Sequence, residues 1–403
     1  MPADKGPLDG LLVLDFTRVL SGPYCTMLLA DMGARVIKVE QPGRGDDTRA
    51  WGPPFINGES AYFLSVNRNK ESLTLDLKHP SSRRVLDPLL QQAGVLVENF
   101  RPGTMERLGL GYEALAAGSP GLVYCSISGF GQTGPRREEA GYDAVMQGEA
   151  GLMSITGEPG GEPSKVGVAV VDVLAGLNAA IAILAGLRRR DRTGQGEHVE
   201  VSLLDSALSG LVNVAQNVLV TGEEAGRYGN THRSVAPYQP LRAKSGSVAV
   251  AAANDGLFEK LCGALERNDL FDDPRFATNP ERVEHRAELA EQLEETLASA
   301  PPDEWIERLN ATGVPAGKIR GVLEALEAAA DAGEPATVTV EHPSIGPLEL
   351  VGTAPRLESS GMTAPVPPPL LGEHTREVLR EVGLDETEVD AIVAAGSSAG
   401  FDR

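Results

Sequence analysis

The chain has 403 residues, of which 41% are hydrophobic and 23% charged, the balance of an ordinary globular protein of two or three domains. Its 36 basic and 57 acidic residues give a formal charge of −21, which argues against nucleic-acid binding as the main task and means that an anionic ligand needs a local basic site. Three widely spaced cysteines without a CxxC pair exclude a disulfide framework and a structural zinc site. Together with an amino terminus that lacks a secretory-signal pattern, they predict a cytoplasmic protein with reduced thiols.

The first half of the chain alternates strand-like and helix-like segments. Residues 10–16 and 34–40 are predicted strands around a helix over 23–31, which makes a βαβ unit. The pattern recurs with a strand at 72–77, a helix over 81–93 and strands at 94–100 and 122–128. We therefore expect an α/β fold with a doubly wound, mostly parallel, Rossmann-like sheet, whose ligands bind beyond the carboxyl ends of the strands. TRVLSGP follows the first strand where a GxGxxG would stand, so a dinucleotide cofactor is not supported.

A long apolar segment, rich in alanine and glycine, extends from Val166 to Leu187, and its only ionisable side chain is Asp172. The segment reaches membrane-spanning length, but its aspartate, its small residues and the basic cluster Arg188–Arg190 favour a packed core helix. No transmembrane segment and no membrane partner are predicted. Leucines and isoleucines at helical spacing after Asp172 place this aspartate near the start of a helix.

Two interpretations of Asp172 remain open from the residues alone. Aspartate is a favoured N-cap, because its oxygen accepts a hydrogen bond from a first-turn N–H group. The same N–H groups and the helix dipole would keep a carboxylate ionised and nucleophilic. The dipole is worth about 0.3–1 kcal/mol, whereas full burial raises a carboxyl pKa by roughly 3–5 units. An ionised nucleophile must therefore line a pocket with backbone donors around it.

The second half of the chain predicts a smaller unit inserted into the larger one. We expect a large domain over 1–220, a linker at 221–232 and a small α+β domain over 233–330. Residues 331–403 then contain a proline-rich return linker and a helical tail from His374 that completes the large domain.

Several short segments at the ends of predicted strands carry polar or small residues where a core would prefer apolar ones. They are FTRVLSGP (16–23), VEQPGRGDDTR (39–49), NRNKESLTLDLK (67–78), VENFRPG (97–103), ISGFGQTGP (127–135) and GYDAVMQ (141–147). Together with KVGVAVVDVLAG, RTGQGEHVEVSLLD (192–205), HRSVAPYQ (232–239) and PPPLLGEHT (367–375), they closely resemble the family III CoA-transferases. The resemblance covers essentially the whole chain. Within the family, the chain is most similar to enzymes that move CoA between dicarboxylic acids, such as the succinyl-CoA:glutarate type.

The resemblance implies that Asp172 is the catalytic aspartate, which forms an aspartyl anhydride and then an aspartyl-CoA thioester. The 18–22 loop would supply the oxyanion donor. Tyr142 and Asp143 match a tyrosine–acid pair that positions substrate near the nucleophile in the family; a buried tyrosine with a satisfied hydroxyl is the alternative. The related 2-methylacyl-CoA racemases have a histidine base in place of this tyrosine, whose ordinary pKa of about 10 makes it a poor base. A transferase is therefore favoured over a racemase.

CoA is expected as a substrate, with no permanently bound cofactor and no metal. The family's CoA contacts fall on Arg18, Val19, Leu75, Lys78, Asn99, Phe100, Arg107 and Leu108, and Arg44 is a further phosphate candidate. Taken singly, without the motif context, Lys78 and Arg107 are better explained as solvated surface charges, and Phe100 is equally well explained as a core residue.

Substrate choice and assembly are also implied by the resemblance. Leu20 stands where the formyl-CoA transferase branch has a glutamine, which argues against formate–oxalate specificity. His232 and Arg233 become candidates for the distal carboxylate of a dicarboxylic acid, or they are only loop surface groups. The family fold implies an interlocked homodimer. A CoA-ester racemase and a catalytically silent CoA-binding protein remain the alternative functions.

Overall fold

The structure, a computed structural model, describes residues 6–331 and 336–394. The chain forms two compact units. The first contains the residues up to Leu152, then Val166–Val220, and the residues described after 335; the second contains Met153–Lys165 and Thr221–Asp331. The domain bounds predicted from the sequence place residues 153–165 in the large domain. This segment belongs to the second unit because Arg227 donates to the carbonyl of Ser154 at 3.1 Å and the N–H of Gly229 donates to the carbonyl of Gly157 at 3.1 Å.

The strands and helices follow one another along the whole described chain. The strands are Leu12–Asp15 (β1), Arg35–Glu40 (β2), Phe55–Ile56 (β3), Glu59–Ser60 (β4), Lys70–Thr74 (β5), Val95–Glu98 (β6), Val123–Ser128 (β7), Glu197–Ser202 (β8), Tyr238–Ala243 (β9), Gly246–Ala251 (β10), Ala316–Gly317 (β11), Thr337–His342 (β12) and Gly346–Val351 (β13). The helices are Ser21–Asp31 (α1), Ala61–Ser65 (α2), Ser82–Gln92 (α3), Thr104–Arg107 (α4), Tyr112–Ala116 (α5), Asp143–Glu149 (α6), Leu152–Ile155 (α7), Val170–Thr193 (α8), Leu203–Gly210 (α9), Val212–Thr221 (α10), Asp255–Leu265 (α11), Asn268–Phe271 (α12), Asn279–Glu284 (α13), Arg286–Leu297 (α14), Pro302–Ala311 (α15), Val322–Asp331 (α16), Thr375–Glu381 (α17) and Glu386–Ala394 (α18).

The first unit is built on a six-stranded sheet in the order β5-β2-β1-β6-β7-β8, and all its neighbouring strands are parallel. The strand order runs outward in both directions from β1, so the sheet is doubly wound, as predicted. β8 was not predicted as a strand. It pairs with β7 from Val123↔Glu197 to Ser128↔Ser202, and the exposed Glu200 between the buried Val199 and Val201 is the pattern of a half-buried strand at the edge of the sheet.

Apolar side chains cover both faces of this sheet. On one face, α1, α8 and α9 pack over β1, β6 and β7 in a cluster that includes Leu29, Val97, Ala179 and Ile183. On the other face, α3 and the carboxyl-terminal helices α17 and α18 pack in a second cluster. The tail is fixed at its start, where the hydroxyl of Thr375 accepts a hydrogen bond from the N–H of Thr74 at 3.0 Å. The predicted helical tail from His374 is therefore the last layer of the first unit.

The alanine- and glycine-rich segment forms α8, which packs mainly against α1, α9 and strands β7 and β8. A Cβ atom added to Gly176 would lie 2.6 Å from the backbone oxygen of Ser21, so only glycine permits this approach of α8 to the start of α1. By length and composition α8 is the one described helix that by itself could cross a membrane, and half of its most apolar window is buried inside the protein. Core helices of soluble proteins pass the same test.

The second unit has its own small core. A three-stranded antiparallel sheet in the order β11-β10-β9 packs against α11, α14 and α15 around Phe258, Leu293 and Leu309. Strands β9 and β10 are followed by the run of helices α11 to α15 before β11, and both strand pairings are antiparallel, which agrees with the predicted α+β class.

Candidate active site

The carboxyl ends of β1, β6 and β7 meet at one edge of the sheet, and each is followed by residues that turn towards a common cavity. The segment after β1 leads into α1 through Arg18 and Val19, and β6 is followed by Asn99. Two hydrogen bonds join these segments: the Arg18 N–H donates to Asn99 Oδ1 at 2.9 Å, and Asn99 Nδ2 donates to the Arg18 carbonyl at 2.7 Å. The predicted residues Arg18, Val19 and Asn99 are therefore brought together by neighbouring parallel strands.

Asp172 does not cap α8. The helix begins at Val170 with Ala169 as its N-cap, and no side chain of that cap residue bonds the first turn. The expectation of an Asp172 cap was wrong because the helix begins three residues earlier than an Asp172 cap requires, which places this carboxylate inside the first turn. Asp143 takes the capping role instead: its Oδ1 accepts hydrogen bonds from the N–H groups of Val171 at 2.8 Å and Asp172 at 3.4 Å.

The Asp172 carboxyl is 7% exposed and lines the cavity at the edge of the sheet. Burial, followed by the nearby charge of Asp143, raises its pKa to about 7, although a hydrogen bond with the Ser21 side chain acts in the opposite direction. The expected cap therefore does not hold this group fully ionised. The loss of solvation exceeds what a helix terminus supplies, in line with the relative magnitudes of the two effects. Near pH 7 the carboxyl is divided between its protonated form and a weakly solvated, nucleophilic carboxylate.

A buried ionic cluster supports the segment before α1. The Lys38 ammonium lies 2.9 Å from Asp46 Oδ2 and donates to the Thr17 carbonyl at 2.8 Å, and both charged side chains are fully buried. Burial opposes ionisation of Asp46, but the Lys38 charge and hydrogen bonds from Thr48 hold its pKa below the ordinary value. Asp46 Oδ1 in turn accepts from the Val19 N–H at 3.2 Å. Val19 has a φ of 71°, a conformation that costs a β-branched residue energy, and this cluster holds it there.

A second glycine contact places Tyr142 beside the end of β7. A Cβ atom on Gly141 would lie 2.6 Å from the Gly129 Cα, and one on Gly129 would lie 2.9 Å from the Gly141 Cα. The two backbones can approach this closely only because both residues lack side chains. Tyr142 follows directly, is 56% exposed and lines the cavity. It is therefore not the buried tyrosine of the alternative interpretation.

Two cavities of the first unit adjoin one another. The first, of about 180 Å³, contains Asp172. It is lined by Arg18, Val19, Ser21, Asp47, Asn99, Phe100, Arg101, Pro102, Ile127, Ser128, Gly129, Glu139, Ala140, Gly141, Tyr142, Asp172 and Leu203. The second, of about 390 Å³, is lined by Phe16, Thr17, Arg18, Val39, Glu40, Gln41, Gly45, Asp46, Asp47, Leu75, Asp76, Leu77, Lys78, Phe100, Thr104 and Leu108. Both include Arg18, Asp47 and Phe100, so one elongated ligand can occupy the two.

Most of the predicted CoA contacts line these cavities. Arg18 and Phe100 line both, with the Arg18 guanidinium 5.1 Å from the Phe100 ring centroid. Val19 and Asn99 line the first; Leu75, Lys78 and Leu108 line the second.

Other predicted residues lie outside the two cavity walls. Arg44 has a side chain that is 71% exposed and pairs with Asp47 at 2.6 Å, and Arg107 donates to the Thr104 hydroxyl at 2.9 Å. Leu20 is the N-cap of α1, next to Ser21. Asp143 acts through the backbone of α8, as described above.

His232 and Arg233 belong to the second unit, where Arg286 donates to the carbonyls of both at 3.0 and 2.8 Å. The His232 ring lies 5.4 Å from that of Tyr238. Their assignment to the distal carboxylate remains a prediction.

The sequence analysis missed four residues of this region. Ser21 bonds Asp172, and the Ser128 hydroxyl is buried and unpartnered beside the first cavity. Gln147 is fully buried and bonds Asp143 at 2.7 Å. Tyr62 is placed so that burial and the charges of Asp172 and Asp143 raise its pKa to about 12. Ser21, Ser128 and Gln147 lie within motifs singled out above, but only packing shows what they contact.

Similarity to known proteins identifies the family of this chain. A sequence model of the family described as CoA-transferase family III matches residues 8–375. The chain is 43% identical over 391 residues to succinyl-CoA:glutarate CoA-transferase of Mus musculus, covering 97% of this chain and 90% of the mouse protein. It is 39% identical over 388 residues to succinate–glutarate CoA-transferase of Agrobacterium fabrum, covering 95% and 97%. The crystal structure of a CAIB/BAIF family protein from Brucella suis superposes with a TM-score of 0.82 at 41% identity, covering 94% of this chain and 99% of that one.

The family model spans nearly the whole described chain, and the relatives cover it end to end at well above 30% identity. These matches confirm the resemblance found in the sequence motifs. The chain therefore belongs to the family III CoA-transferases.

Proposed function

We propose that this enzyme transfers CoA from succinyl-CoA to a dicarboxylic acid, with Asp172 as the nucleophile. The observation that carries the proposal is the position of Asp172: a nearly buried carboxyl in a cavity that adjoins a second one large enough for the nucleotide end of CoA. The names of the mouse and Agrobacterium relatives support succinyl-CoA as donor and a dicarboxylate such as glutarate as acceptor.

The proposed reaction proceeds in four attacks. The Asp172 carboxylate attacks the thioester carbon of succinyl-CoA, the C–S bond breaks, and an aspartyl anhydride and CoA thiolate form. The thiolate attacks the Asp172 carboxyl carbon and releases succinate, which leaves an aspartyl-CoA thioester. The acceptor carboxylate then attacks that carbon and displaces the thiolate, and the thiolate attacks the acceptor's acyl carbon, which restores the Asp172 carboxylate. The released succinate carries one oxygen that came from Asp172. The acceptor carboxylate supplies the oxygen that replaces it in the restored Asp172 carboxylate.

Backbone donors near Ser21 would stabilise the oxyanion of each tetrahedral intermediate. α1 begins at Ser21, and the N–H groups of its first turn have no acceptor within the helix. The positive end of the α1 dipole lies at the same end of the helix as these N–H groups. The cluster of Lys38 and Asp46 fixes the segment before this helix, so these donors need no reorganisation during the reaction.

The second cavity would hold the nucleotide part of CoA. Its wall combines apolar side chains, among them Leu75, Leu108 and Phe100, with the ammonium of Lys78. An apolar wall suits the adenine ring, and a cation suits a phosphate. The shared residues Arg18 and Phe100 would then guide the pantetheine arm towards Asp172.

A homodimer is also proposed, as the resemblance implies. The successive helices α8, α9 and α10 leave large apolar side chains in solvent, including Ile181, Leu208, Val212 and Leu219. Apolar surface of this extent is typical of an interface. Light scattering during gel filtration should give twice the chain mass, and a monomer at micromolar concentration would contradict the proposal.

The nucleophile is tested by trapping the thioester. Wild-type enzyme is mixed with succinyl-CoA without acceptor, quenched in acid and digested, and the peptide that contains Asp172 is weighed. We expect mass spectrometry to show this peptide heavier than the unreacted peptide by the mass of CoA less one water. Asp172→Asn keeps the side-chain shape but removes the nucleophile, so it should lose the adduct and more than about 10³-fold in turnover. Asp191→Asn, at an exposed position of the same helix, is the matched control and should retain both.

Two results would contradict this function. Near-normal transfer by Asp172→Asn would exclude Asp172 as the nucleophile. Deuterium exchange at the α-carbon of the acyl-CoA without an acceptor acid would instead indicate the racemase alternative.

A further inference from the structure

Gln147 occupies an unusual position for an amide side chain. It lies in α6 and is fully buried. Its Nε2 donates to Asp143 Oδ2 at 2.7 Å and to the Val168 carbonyl at 3.3 Å, and its Oε1 accepts from the Val166 N–H at 2.8 Å. The amide orientation is fixed by these partners, because the flipped amide would face two acceptors with its oxygen.

These bonds connect Gln147 to the nucleophile from two directions. Asp143, which Gln147 holds by one oxygen, accepts with its other oxygen from the N–H groups of Val171 and Asp172. Val166 and Val168 belong to the segment that leads into α8, and this segment has neither helical nor strand structure. It is also largely exposed, with Val168 at 63%, so its position depends on hydrogen bonds more than on burial.

The structure assigns to Gln147 the role of a positioning residue for the transfer reaction. Its amide orients the Asp143 carboxylate, which caps α8, and it fixes the lead-in segment, so that the Asp172 carboxyl faces the cavity. Gln147 itself does not line that cavity. This role rests on the proposed function of Asp172, and it concerns the chemical step rather than the binding of CoA.

The role requires a neutral side chain at position 147, because the Asp143 carboxylate lies beside it. Glutamate has the same shape, but at this position it lies within hydrogen-bonding distance of the Asp143 carboxylate, and two carboxylates this close share one proton. A protonated glutamate keeps the bonds to Asp143 and to the Val166 N–H and loses only the long one to Val168. An ionised glutamate repels Asp143 and breaks the cap. Among the described residues, Asp143, Asp172 and Tyr62 are titratable groups that influence one another near this point, and Lys165 directly precedes Val166 in the chain. Asp205 on the neighbouring α9 is engaged by the Ser202 hydroxyl at 2.6 Å.

The test compares Gln147→Glu and Gln147→Leu with the wild type between pH 5.5 and 8.5, using succinyl-CoA and glutarate. In the wild type, kcat should rise with pH as Asp172 ionises. In Gln147→Glu, we expect kcat near the wild-type value at pH 6 and at least about 10-fold below it at pH 8, with the KM for succinyl-CoA unchanged within about threefold. Gln147→Leu should lose kcat at every pH. Gln92→Glu, an exposed residue of α3, is the matched control and should follow the wild type.

The controls separate a positioning role from a loss of folding. Circular dichroism and the thermal midpoint are recorded for each variant, and Gln147→Glu at pH 6 should fold even if Gln147→Leu does not. A Gln147→Glu profile that matches the wild type, a change confined to KM, or a Gln147→Glu protein that is unfolded at pH 6 would overturn the assignment. The aspartyl-CoA adduct of the wild type is measured in the same series. If it is absent, the proposed function fails; if it is present and both variants keep wild-type turnover, only the role of Gln147 fails.

Discussion

Replacing Asp172 with asparagine is expected to stabilise the protein above pH 7 and to have little effect on stability near pH 4. In the folded protein the pKa of this carboxyl is about 7, because of burial and the charge of Asp143, whereas its ordinary value is 3.8. Below pH 3.8 the carboxyl is protonated in both the folded and the unfolded chain, and it adds no electrostatic cost. Between pH 3.8 and 7 only the unfolded chain ionises, so folding stability falls as pH rises. Above pH 7 both forms are ionised, and the full cost is present.

The size of this cost follows from the two pKa values. One pKa unit corresponds to about 1.36 kcal/mol, so a rise from 3.8 to about 7 costs about 4 kcal/mol of folding free energy above pH 7. At pH 5.5 about half of that cost remains. Asparagine avoids it because its amide is neutral at every pH, and its oxygen still accepts a hydrogen bond from Ser21. On the proposed function, this loss of stability is the consequence of keeping a reactive carboxylate in a poorly solvated site.

Urea denaturation of wild type and Asp172→Asn at pH 5.5, 7 and 8.5 measures the effect, at one protein concentration. We expect the difference in unfolding free energy to grow from about 2 to about 4 kcal/mol across this range. Asp191→Asn, at an exposed site of the same helix, should change stability by less than about 0.5 kcal/mol at each pH. A difference that does not vary with pH, or a destabilised Asp172→Asn protein at pH 8.5, would refute the reasoning.

Two further predictions concern activity. In the proposed reaction Asp172 must be ionised to attack, so kcat/KM for succinyl-CoA should rise with pH around 7. Asp143→Asn should move that midpoint to lower pH by removing a nearby negative charge, and an unchanged midpoint would show that Asp143 does not act on Asp172 through its charge. Phe100→Ala removes a side chain that lines both cavities and should raise the KM for succinyl-CoA about 10-fold, whereas Arg44→Ala, whose exposed side chain lines neither cavity, should change it by less than about threefold. Initial-rate kinetics measure both variants, and a larger effect at Arg44 would place the CoA phosphates elsewhere.

Much of the fold was predictable because its elements carry local patterns. The alternation of apolar strands and helices over residues 10–128 predicted the parallel sheet, and the helix that contains Asp172 was expected from its apolar spacing. β8 was missed because it is a half-buried edge strand in which the polar residues His198 and Glu200 alternate with the buried valines. Residues 153–165 were placed in the wrong unit because their partners, such as Arg227, lie far along the chain.

The site was predictable only in part, because ordered motifs bring residues to the site but do not show where each side chain points. Motif order placed Arg18, Asn99, Phe100 and Tyr142 near Asp172, and the structure places all of them around one cavity. The motifs did not distinguish Lys78, which lines the second cavity, from Arg44, which does not. That difference depends on the direction of each side chain, which spacing along a loop does not report.

The sequence by itself determined the α/β class, the family and the position of Asp172 as the single ionisable residue of the apolar segment 166–187, because these depend on local periodicity and on ordered motifs. The tertiary structure alone decided that Asp143, 28 residues before Val171, caps that helix, and that Gln147 holds Asp143 in place. It also decided that the Asp172 carboxyl has a pKa of about 7. Hydrogen bonds between distant segments and the loss of solvent around a charge depend on what packs against each group, and the order of residues along one helix does not contain that information.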